Sequence, residues 1–398
     1  MKKSWNTMGY CMSLRTPLFM LLLALALVLL AACEQREAVP TPTPTEAPTP
    51  TATATPTGQT RTFALGFTDF PHELSIEGLL ESYRVIEHYG DLVALHFDGG
   101  VPWLEALAGE PFPKTFQDMV SGKASVLPSG HLIYLAVSPI SFDRDGLALY
   151  RGATANEPLP APWGGYTFDH PDVVNAFAAH TERMIETYSP DYFAYAIEVN
   201  VLYTKRPDLW PAFLALAEAT YKSVKASHPE LPVFVTLQAD WFHQDSAGQT
   251  AAIEQLLPFT DLIAVSAYPF IEGLDVETLP PGYFADLADL APEKPFAIAE
   301  TGWPAEDISA PYPVTLPGGE EAQRAYVERL LHEAEDLKAV FVTWFFTRDY
   351  DAQWEEFMST HPAAATLRIW RDNGFFTGDG EPRSALALWR DALAVPRR

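Results

Sequence analysis

The chain has 398 residues, of which 48 % are apolar and 13 % are aromatic, so it can build a large core and global disorder is excluded. Its length fits one large domain with additional segments. Because 52 Asp and Glu residues against 26 Lys and Arg residues give a formal net charge of −26, we expect no nucleic-acid partner and no basic face for an anionic membrane.

The chain begins with the features of an export signal. Basic residues precede an uninterrupted apolar run over residues 18–32, which ends in small residues before Cys33. This order is typical of a secretory signal. A short transmembrane anchor is the alternative, although about 15 apolar residues fall short of the ~20 that a spanning helix needs. The sequence Leu30-Ala31-Ala32-Cys33 resembles the lipobox of bacterial lipoproteins, which implies lipidation of Cys33 and tethering of an exported protein to the cell envelope.

A linker rich in Pro and Thr follows the signal. Residues 38–60 alternate Pro with Thr and Ala and show no apolar periodicity, so this segment is expected to be extended and semi-rigid. The predicted division is a signal peptide over 1–32, the lipidated cysteine with the linker over 33–60, and one domain over 61–398. Since Cys11 and Cys33 are the two cysteines, we expect no disulfide framework and no cysteine-based metal cluster. We also expect no cofactor, because the sequence has no Walker loop and its histidines show no metal spacing.

Strand-like and helix-like segments alternate eight times after residue 60. Near-continuous apolar strands separated by amphipathic helices indicate a parallel sheet covered by helices. Eight repeats favour a (β/α)₈ TIM barrel. A doubly wound open sheet is the alternative, but no G-x-G-x-x-G motif follows the first strand. The predicted strands are Thr62–Gly66, Leu92–Phe97, His131–Ser138, Tyr192–Glu198, Pro232–Gln238, Leu262–Ala267, Pro295–Glu300 and Val340–Phe346.

Polar side chains lie at the predicted carboxyl ends of these strands, where TIM barrels carry their chemistry. Side chains alternate along a strand, so Glu198 and Asn200 are expected to share the inward face of strand four. By the same alternation, Glu300 shares a face of strand seven with Phe296 and Ile298. The glutamates of strands four and seven are therefore expected to face each other across the barrel mouth.

Two facing carboxyls suggest glycoside hydrolysis. That reaction needs one carboxyl to protonate the leaving oxygen and a second to attack the sugar or to activate water. A lone glutamate at a strand end is also a common cap or salt-bridge partner, and this alternative stays open for Glu300 and Glu198. For Glu198 a ligand-orienting role is open as well.

Candidate sugar-binding side chains surround the two glutamates. Broad apolar faces for stacking come from Trp103, Tyr268, Trp303 and Trp344. Hydrogen bonds to hydroxyl groups come from His96, Asp98, Asn200 and Gln238. Core packing is the alternative for Trp103 and Trp344, and a purely structural pair is the alternative for His96 with Asp98. The long segments 138–166 and 347–380 are expected to shape the cleft.

One block of the sequence carries a family resemblance. The segment Pro295–Pro304, which reads P-F-A-I-A-E-T-G-W-P, resembles the strand-seven nucleophile motif of retaining TIM-barrel glycoside hydrolases of clan A, in particular families 17 and 53. The resemblance covers residues 61–398, but its specific part is the E-T-G-W-P block. It implies a polysaccharide or oligosaccharide substrate and the nucleophile role for Glu300. It also implies that Tyr268 and Trp344 lie around the nucleophile and the first sugar subsite.

The chain departs from the family at strand four. Clan members place an Asn-Glu dipeptide there, with the glutamate as acid/base, whereas this chain has Glu198 two residues before Asn200. Two hypotheses follow. Either Glu198 supplies the proton from a shifted position, or the acid is lost and the protein is a non-catalytic surface barrel that binds carbohydrate.

Overall fold

A closed barrel of eight parallel strands organises residues 60–398, which are the residues that the computed structural model of the chain describes. Each strand pairs with its neighbours in sequence, and β1 closes the barrel on β8. The predicted (β/α)₈ barrel is confirmed, and the open-sheet alternative is wrong. The strands are β1 (Ala64–Thr68), β2 (Leu92–Phe97), β3 (Leu132–Val137), β4 (Tyr192–Ala196), β5 (Val233–Gln238), β6 (Ile263–Ala267), β7 (Phe296–Thr301) and β8 (Phe341–Trp344).

Helices cover the outside of the barrel and extend its rim. Among the helices of residues 60–398, none combines the length and apolarity that a membrane crossing requires. The predicted signal, Cys33 and nearly all of the linker lie outside the described residues. The helices are α1 (Ile76–Tyr89), α2 (Trp103–Ala108), α3 (Lys114–Ser125), α4 (Pro171–Tyr188), α5 (Val199–Lys205), α6 (Trp210–Ser227), α7 (Ala239–Gln244), α8 (Ser246–Glu254), α9 (Ala285–Ala288), α10 (Glu320–Asp336), α11 (Asp351–Glu356), α12 (Ala364–Leu367) and α13 (Ala385–Leu393).

The first long helix shows why these segments form where they do. Ser75 precedes α1, and its hydroxyl accepts a hydrogen bond of 2.9 Å from the backbone N–H of Gly78. This cap satisfies one of the free N–H groups of the first turn. Tyr83 and Ile86 lie on the buried face of α1, so the helix packs on the sheet through its apolar stripe.

Two apolar layers hold the barrel together. Bulky side chains fill the outer layer between the strands and the helices. Inside the barrel, the rings of Tyr134, Phe234 and Phe341 pack together, with centroids 5.0 Å apart for Tyr134 and Phe341. These large rings fit because small residues surround them, so the interior is a packed core with no pore. The inner alanines are Ala64, Ala94, Ala136, Ala194, Ala264, Ala297 and Ala299.

An irregularity in β4 breaks the alternation that the sequence suggested. The register of β4 against β5 shifts between Ala194 and Ala196. As a result Ala194 and Ile197 face the barrel interior, whereas Ala196 packs in the outer layer. The prediction that Ala196, Glu198 and Asn200 share one inward face is therefore wrong. A bulge redirects the strand where it approaches the barrel mouth.

A second irregularity lies in β7. Consecutive residues of β6 pair with Ile298 and Glu300, so Ala299 is the extra residue of a bulge. Ala297 and Ala299 face inward, whereas Phe296 and Ile298 pack in the outer layer. Glu300 therefore does not share a face with Phe296 and Ile298 as predicted. Its side chain reaches the barrel mouth because of the bulge.

Candidate active site

A cavity of about 380 Å³ lies at the carboxyl end of the barrel. Its lining includes both predicted glutamates, Glu198 and Glu300, and also His96 and Asp98 from the end of β2. The segments 138–166 and 347–380 both contribute to its wall, as their length and composition indicated. We call this cavity the cleft.

Glu300 is held by hydrogen bonds at the floor of the cleft. It is the penultimate residue of β7, and 9 % of it is exposed. The hydroxyl of Tyr268 donates to its Oε1, and Nδ1 of His96 lies 3.2 Å from its Oε2. Burial and the neighbouring carboxylate raise the pKa of Tyr268 well above its usual range, so this hydroxyl keeps its proton and remains a donor. The arrangement fixes the orientation of the Glu300 carboxyl.

Glu198 enters the cleft through an unusual backbone conformation. Strand β4 ends at Ala196, and α5 begins directly after Glu198. Its φ of 51° lies in the left-handed region, which is uncommon for residues other than glycine. Its backbone N–H donates to the hydroxyl of Thr236 at 2.9 Å. The turn directs the carboxyl into the cleft, with 19 % of the side chain exposed.

Arg144 joins two carboxylates of the cleft. It lies on the loop after β3, also with a left-handed backbone at φ 55°. Its guanidinium lies 2.7 Å from Asp98 and 3.2 Å from Glu198. The backbone carbonyls of Ser141 and Phe142 accept further hydrogen bonds from the same group. A single arginine thus positions Asp98 and Glu198 together.

The electrostatic environment of Glu198 favours its protonated form. Burial raises the pKa of Glu198 to about 7, although Arg144 acts in the opposite direction, and the charges of Glu300 and Asp98 raise it further. Burial also raises the pKa of Asp98, despite the same arginine. For Arg144, burial favours the neutral form, but the carboxylates outweigh this effect and raise its pKa. Glu198 therefore carries a proton below about pH 7.

Asn200 and Gln238 have structural partners. Asn200 is fully buried, and its amide donates to the backbone carbonyl of Gln238 and accepts from the backbone N–H of Gln238. The predicted sugar contact by Asn200 is therefore wrong, because the side chain joins the first turn of α5 to the end of β5. Gln238 lines the cleft, but its side chain donates to Asp240 and accepts from the N–H of Trp241.

Three predicted stacking residues are buried in the outer layer. Trp103, Trp303 and Trp344 are each at most 1 % exposed, and none of them lines the cleft. Trp103 stacks on Trp163, and Trp344 stacks on Phe375. The prediction that these tryptophans stack on sugar rings is wrong, because their side chains point towards the helices.

Other aromatic side chains line the cleft, and the sequence did not indicate them. Phe70, Trp241, Phe345 and Trp370 are each half-buried on its wall. Phe345 directly follows Trp344, so the aromatic residue that β8 presents to the cleft lies one position after the predicted one. The rings of Phe345 and Trp370 lie 5.3 Å apart between centroids. Together with Tyr268, these rings give the cleft apolar faces on which sugar rings can stack.

Comparisons with known proteins agree with the fold. No protein-family model and no curated protein matches the sequence. An exo-β-1,4-mannosidase from Opitutaceae bacterium strain TAV5 superposes with a TM-score of 0.60 and 13 % identity over 84 % of this chain and 59 % of its own. The GH5_18 protein of Streptomyces cattleya in complex with GlcNAc superposes with a TM-score of 0.59 and 14 % identity. The match covers 85 % of this chain and 80 % of that protein.

A β-glucuronidase from Bacteroides uniformis gives a TM-score of 0.50 and 12 % identity over 83 % of this chain and 36 % of its own. This chain thus spans less than two thirds of the mannosidase and about one third of the glucuronidase. At these identities the similarity is one of fold. The chain shares its barrel with TIM-barrel glycoside hydrolases.

Proposed function

We propose that the protein is a glycoside hydrolase that cleaves a polysaccharide or oligosaccharide with the carboxyls of Glu198 and Glu300. One observation carries the proposal. Both carboxyls line the same cleft, but their environments suit different roles. A hydrogen bond from Tyr268 and the nearby imidazole of His96 fix Glu300, whereas the pKa of Glu198 is raised to about 7. Two carboxyls in unlike environments are the arrangement that glycoside hydrolysis uses.

In the retaining reaction that we propose, each carboxyl has its own role. Ionised Glu300 attacks the anomeric carbon while Glu198 transfers its proton to the leaving glycosidic oxygen, which gives a covalent glycosyl ester and a free alcohol. Glu198, now ionised, then takes a proton from water as that water attacks the anomeric carbon. This second step releases Glu300 and restores the proton on Glu198.

The neighbouring side chains support these roles. Tyr268 and His96 hold the two oxygens of Glu300, so the carboxylate needs little reorientation before it attacks. Arg144 limits the rise of the Glu198 pKa that burial causes, which lets Glu198 act as acid in one step and as base in the next.

Activity on defined polysaccharides tests the proposal. The purified protein is incubated with β-1,4-mannan, β-glucans, galactan and arabinogalactan, and released reducing ends are measured. We expect release from one class of polymer, loss of that release in Glu300→Gln, and no change in the control Glu230→Gln, which alters an exposed glutamate. If wild type and Glu300→Gln release reducing ends equally, Glu300 is not the nucleophile.

The role of Glu198 has its own test. In Glu198→Ala we expect slow cleavage of natural substrates but retained cleavage of an aryl glycoside whose phenol leaves without a proton. Azide, a small nucleophile that needs no base, is expected to accelerate this variant and to give a glycosyl azide. Equal losses on both substrates, without azide rescue, would contradict the acid/base role.

A retaining mechanism is also a proposal, supported by the resemblance of residues 295–304 to retaining enzymes. ¹H NMR of the first product formed distinguishes the outcomes, because retention gives the anomer of the substrate and inversion gives the opposite one. Inversion would leave both carboxyls in place and would assign Glu300 to the activation of water.

One observation favours the alternative of a non-catalytic carbohydrate-binding barrel. The ion pair between Arg144 and Glu198 opposes protonation of the acid, in a chain that already lacks the Asn-Glu order of the family. Binding of a polysaccharide without release of reducing ends, by wild type and Glu300→Gln alike, would support this alternative.

We also propose that the protein is exported and tethered to the cell envelope by a lipid on Cys33, as the lipobox-like sequence at residues 30–33 suggests. Cells that express the protein are labelled with radioactive palmitate. We expect label on the wild type, no label on Cys33→Ser, and unchanged labelling of the mature chain in Cys11→Ser. Equal labelling of Cys33→Ser and wild type would refute the lipid anchor.

A further inference from the structure

A second, much smaller cavity adjoins the cleft behind the end of β2. Its volume is about 30 Å³, and it shares the lining residues Phe70, His96 and Asp98 with the cleft. Lys123 and Arg151 bring two cationic side chains to its wall. We call this cavity the recess.

Arg151 is a buried cation without an anionic partner. Only 3 % of the residue is exposed, and within residues 60–398 no carboxylate lies at ion-pair distance from its guanidinium. Its contacts are the sulfur of Met119 at 3.9 Å and the ring of Phe116 at 5.1 Å. The carboxylate of Glu157 instead accepts hydrogen bonds from Thr154. A charge with so little access to water and no ion-pair partner is costly, so an anion beside these N–H donors would stabilise it.

The other charges around the recess are already paired. The amine of Lys123 lies 2.7 Å from Asp69. Asp98 lies 2.7 Å from Arg144 on the cleft side, although its second oxygen has no hydrogen-bond partner. Burial lowers the pKa of Arg151 to about 10, which leaves it charged at neutral pH. Arg151 therefore brings to the recess a positive charge that forms no ion pair within residues 60–398, although the more distant carboxylate of Glu157 acts against the effect of burial on its pKa.

His96 contributes a second unused polar group. Its Nδ1 lies 3.2 Å from Glu300, and its Nε2, on the other side of the ring, is buried and has no hydrogen-bond partner. Because His96 lines both the cleft and the recess, an anion in the recess would lie near the residue that contacts Glu300.

We propose that the recess binds a carboxylate-sized anion, held by the guanidinium of Arg151. Its size limits the ligand, because a water molecule needs at least about 10–15 Å³ measured in this way, so the recess holds two or three atoms and excludes a sugar ring. The carboxylate comes either from a free ion such as formate or from an acidic sugar in the cleft. The second source rests on the proposed function, whereas the first does not.

Thermal unfolding of the full chain in a formate titration tests the site without reference to activity. Sodium formate is compared with a bulky sulfonate buffer at equal ionic strength, because the sulfonate is too large for the recess. We expect a saturable rise of the Tm, about 4 °C when formate is one hundred times its Kd. The same Tm in formate and in the sulfonate would overturn the proposal.

Two variants show whether formate raises the Tm by binding at Arg151. Arg151→Met keeps the length and apolar contacts of the side chain but removes the charge, and we expect it to abolish the formate-dependent rise. Arg84→Met, which alters an exposed arginine on α1, is expected to keep that rise. An undiminished rise in Arg151→Met would overturn the proposal. Should that variant fail to fold, crystals of the wild type in bromide give the same decision, since an anomalous peak beside Arg151 is expected and its absence contradicts the site.

The source of the carboxylate is decided by kinetics on matched glycosides that carry a uronic acid or the neutral sugar. If the sugar supplies the carboxylate, Arg151→Met lowers kcat/KM at least about tenfold for the acidic substrate alone, and formate competes with that substrate. If a free anion occupies the recess, both glycosides are affected equally and formate does not compete. Absence of all activity would refute the proposed function while leaving the formate titration intact.

Discussion

Replacing Arg144 by Met removes the cation that opposes protonation of Glu198, so the pH dependence of hydrolysis should change in a defined direction. The general acid must carry a proton, and the pKa of Glu198 is raised to about 7. In the wild type kcat/KM should therefore fall as the pH rises through about 7. Without Arg144 the proton is held more tightly, and the fall should occur at higher pH.

The distance between the two groups sets the size of the change. At the observed 3.2 Å and an effective dielectric constant of about 20, the Coulomb attraction between Arg144 and Glu198 is about 5 kcal/mol. This attraction sets an upper limit of about 4 pH units on the displacement of the Glu198 pKa. Water that enters the space vacated by Arg144 makes the displacement smaller. Arginines beside carboxylates shift their pKa by about 1–3 units, and we expect an upward displacement of this size.

Profiles of kcat/KM from pH 4 to 10, measured on a substrate that the wild type cleaves, provide the test. Arg144→Lys retains a cation and should keep the alkaline limb near that of the wild type. Glu198→Gln should lose this limb together with most of the activity. An alkaline limb that stays in place in Arg144→Met, or that moves to lower pH, would refute the assignment of Glu198 as the acid.

Four further changes have expected outcomes. Tyr268→Phe removes the hydrogen bond to Glu300 and should lower kcat about tenfold to a hundredfold with little change in KM, as measured by steady-state kinetics. Trp370→Ala removes a cleft wall and should raise KM about tenfold, the equivalent of ~1.4 kcal/mol. Asn200→Ala removes two buried hydrogen bonds between α5 and the end of β5 and should cost about 2–4 kcal/mol in denaturant unfolding. Folding raises the pKa of Glu198 from 4.5 to about 7, so its protonation stabilises the folded protein fully below pH 4.5. This stabilisation is lost as the pH rises through about 7. Glu198→Gln should remove this pH dependence from the free energy of unfolding.

The sequence was sufficient for the barrel. Strand β2 begins and ends where the apolar run predicted, at Leu92 and Phe97, and the other seven strands lie within or beside their predicted segments. Near-continuous apolar strands between amphipathic helices leave few alternative topologies. His96 and Asp98, predicted as polar residues of the site, do line the cleft.

Side-chain alternation does not hold where the strands are irregular. A bulge depends on the register with a neighbouring strand, so the residues of β4 or β7 alone do not reveal it. Glu300 lies in the cleft as predicted, but for a different reason from the one that alternation supplied. At β8 the error is a single residue, because Trp344 points outward and Phe345 points into the cleft.

The side-chain contacts of the loop residues could not be predicted from the sequence. The segments 138–166 and 347–380 were expected to shape the cleft, and they do. The sequence did not indicate that Arg144 would pair with Asp98 and Glu198, because that contact depends on a left-handed residue in a long loop. Side chains on such loops are positioned by tertiary contacts rather than by periodicity.

The position of Glu198 explains how a chain without the Asn-Glu order can still present two carboxyls. The bulge in β4 and the left-handed backbone at residue 198 turn its carboxyl into the cleft, two residues earlier than in the family motif. Asn200 therefore lies outside the cleft lining and joins α5 to β5. A left-handed glutamate costs free energy, and strain of this kind persists where the surrounding structure enforces it, often at functional sites. Such strain occurs at ligand-binding sites as well as at catalytic sites, so it marks Glu198 as a residue held for a role in the cleft. The azide experiment on Glu198→Ala then separates catalysis from binding alone.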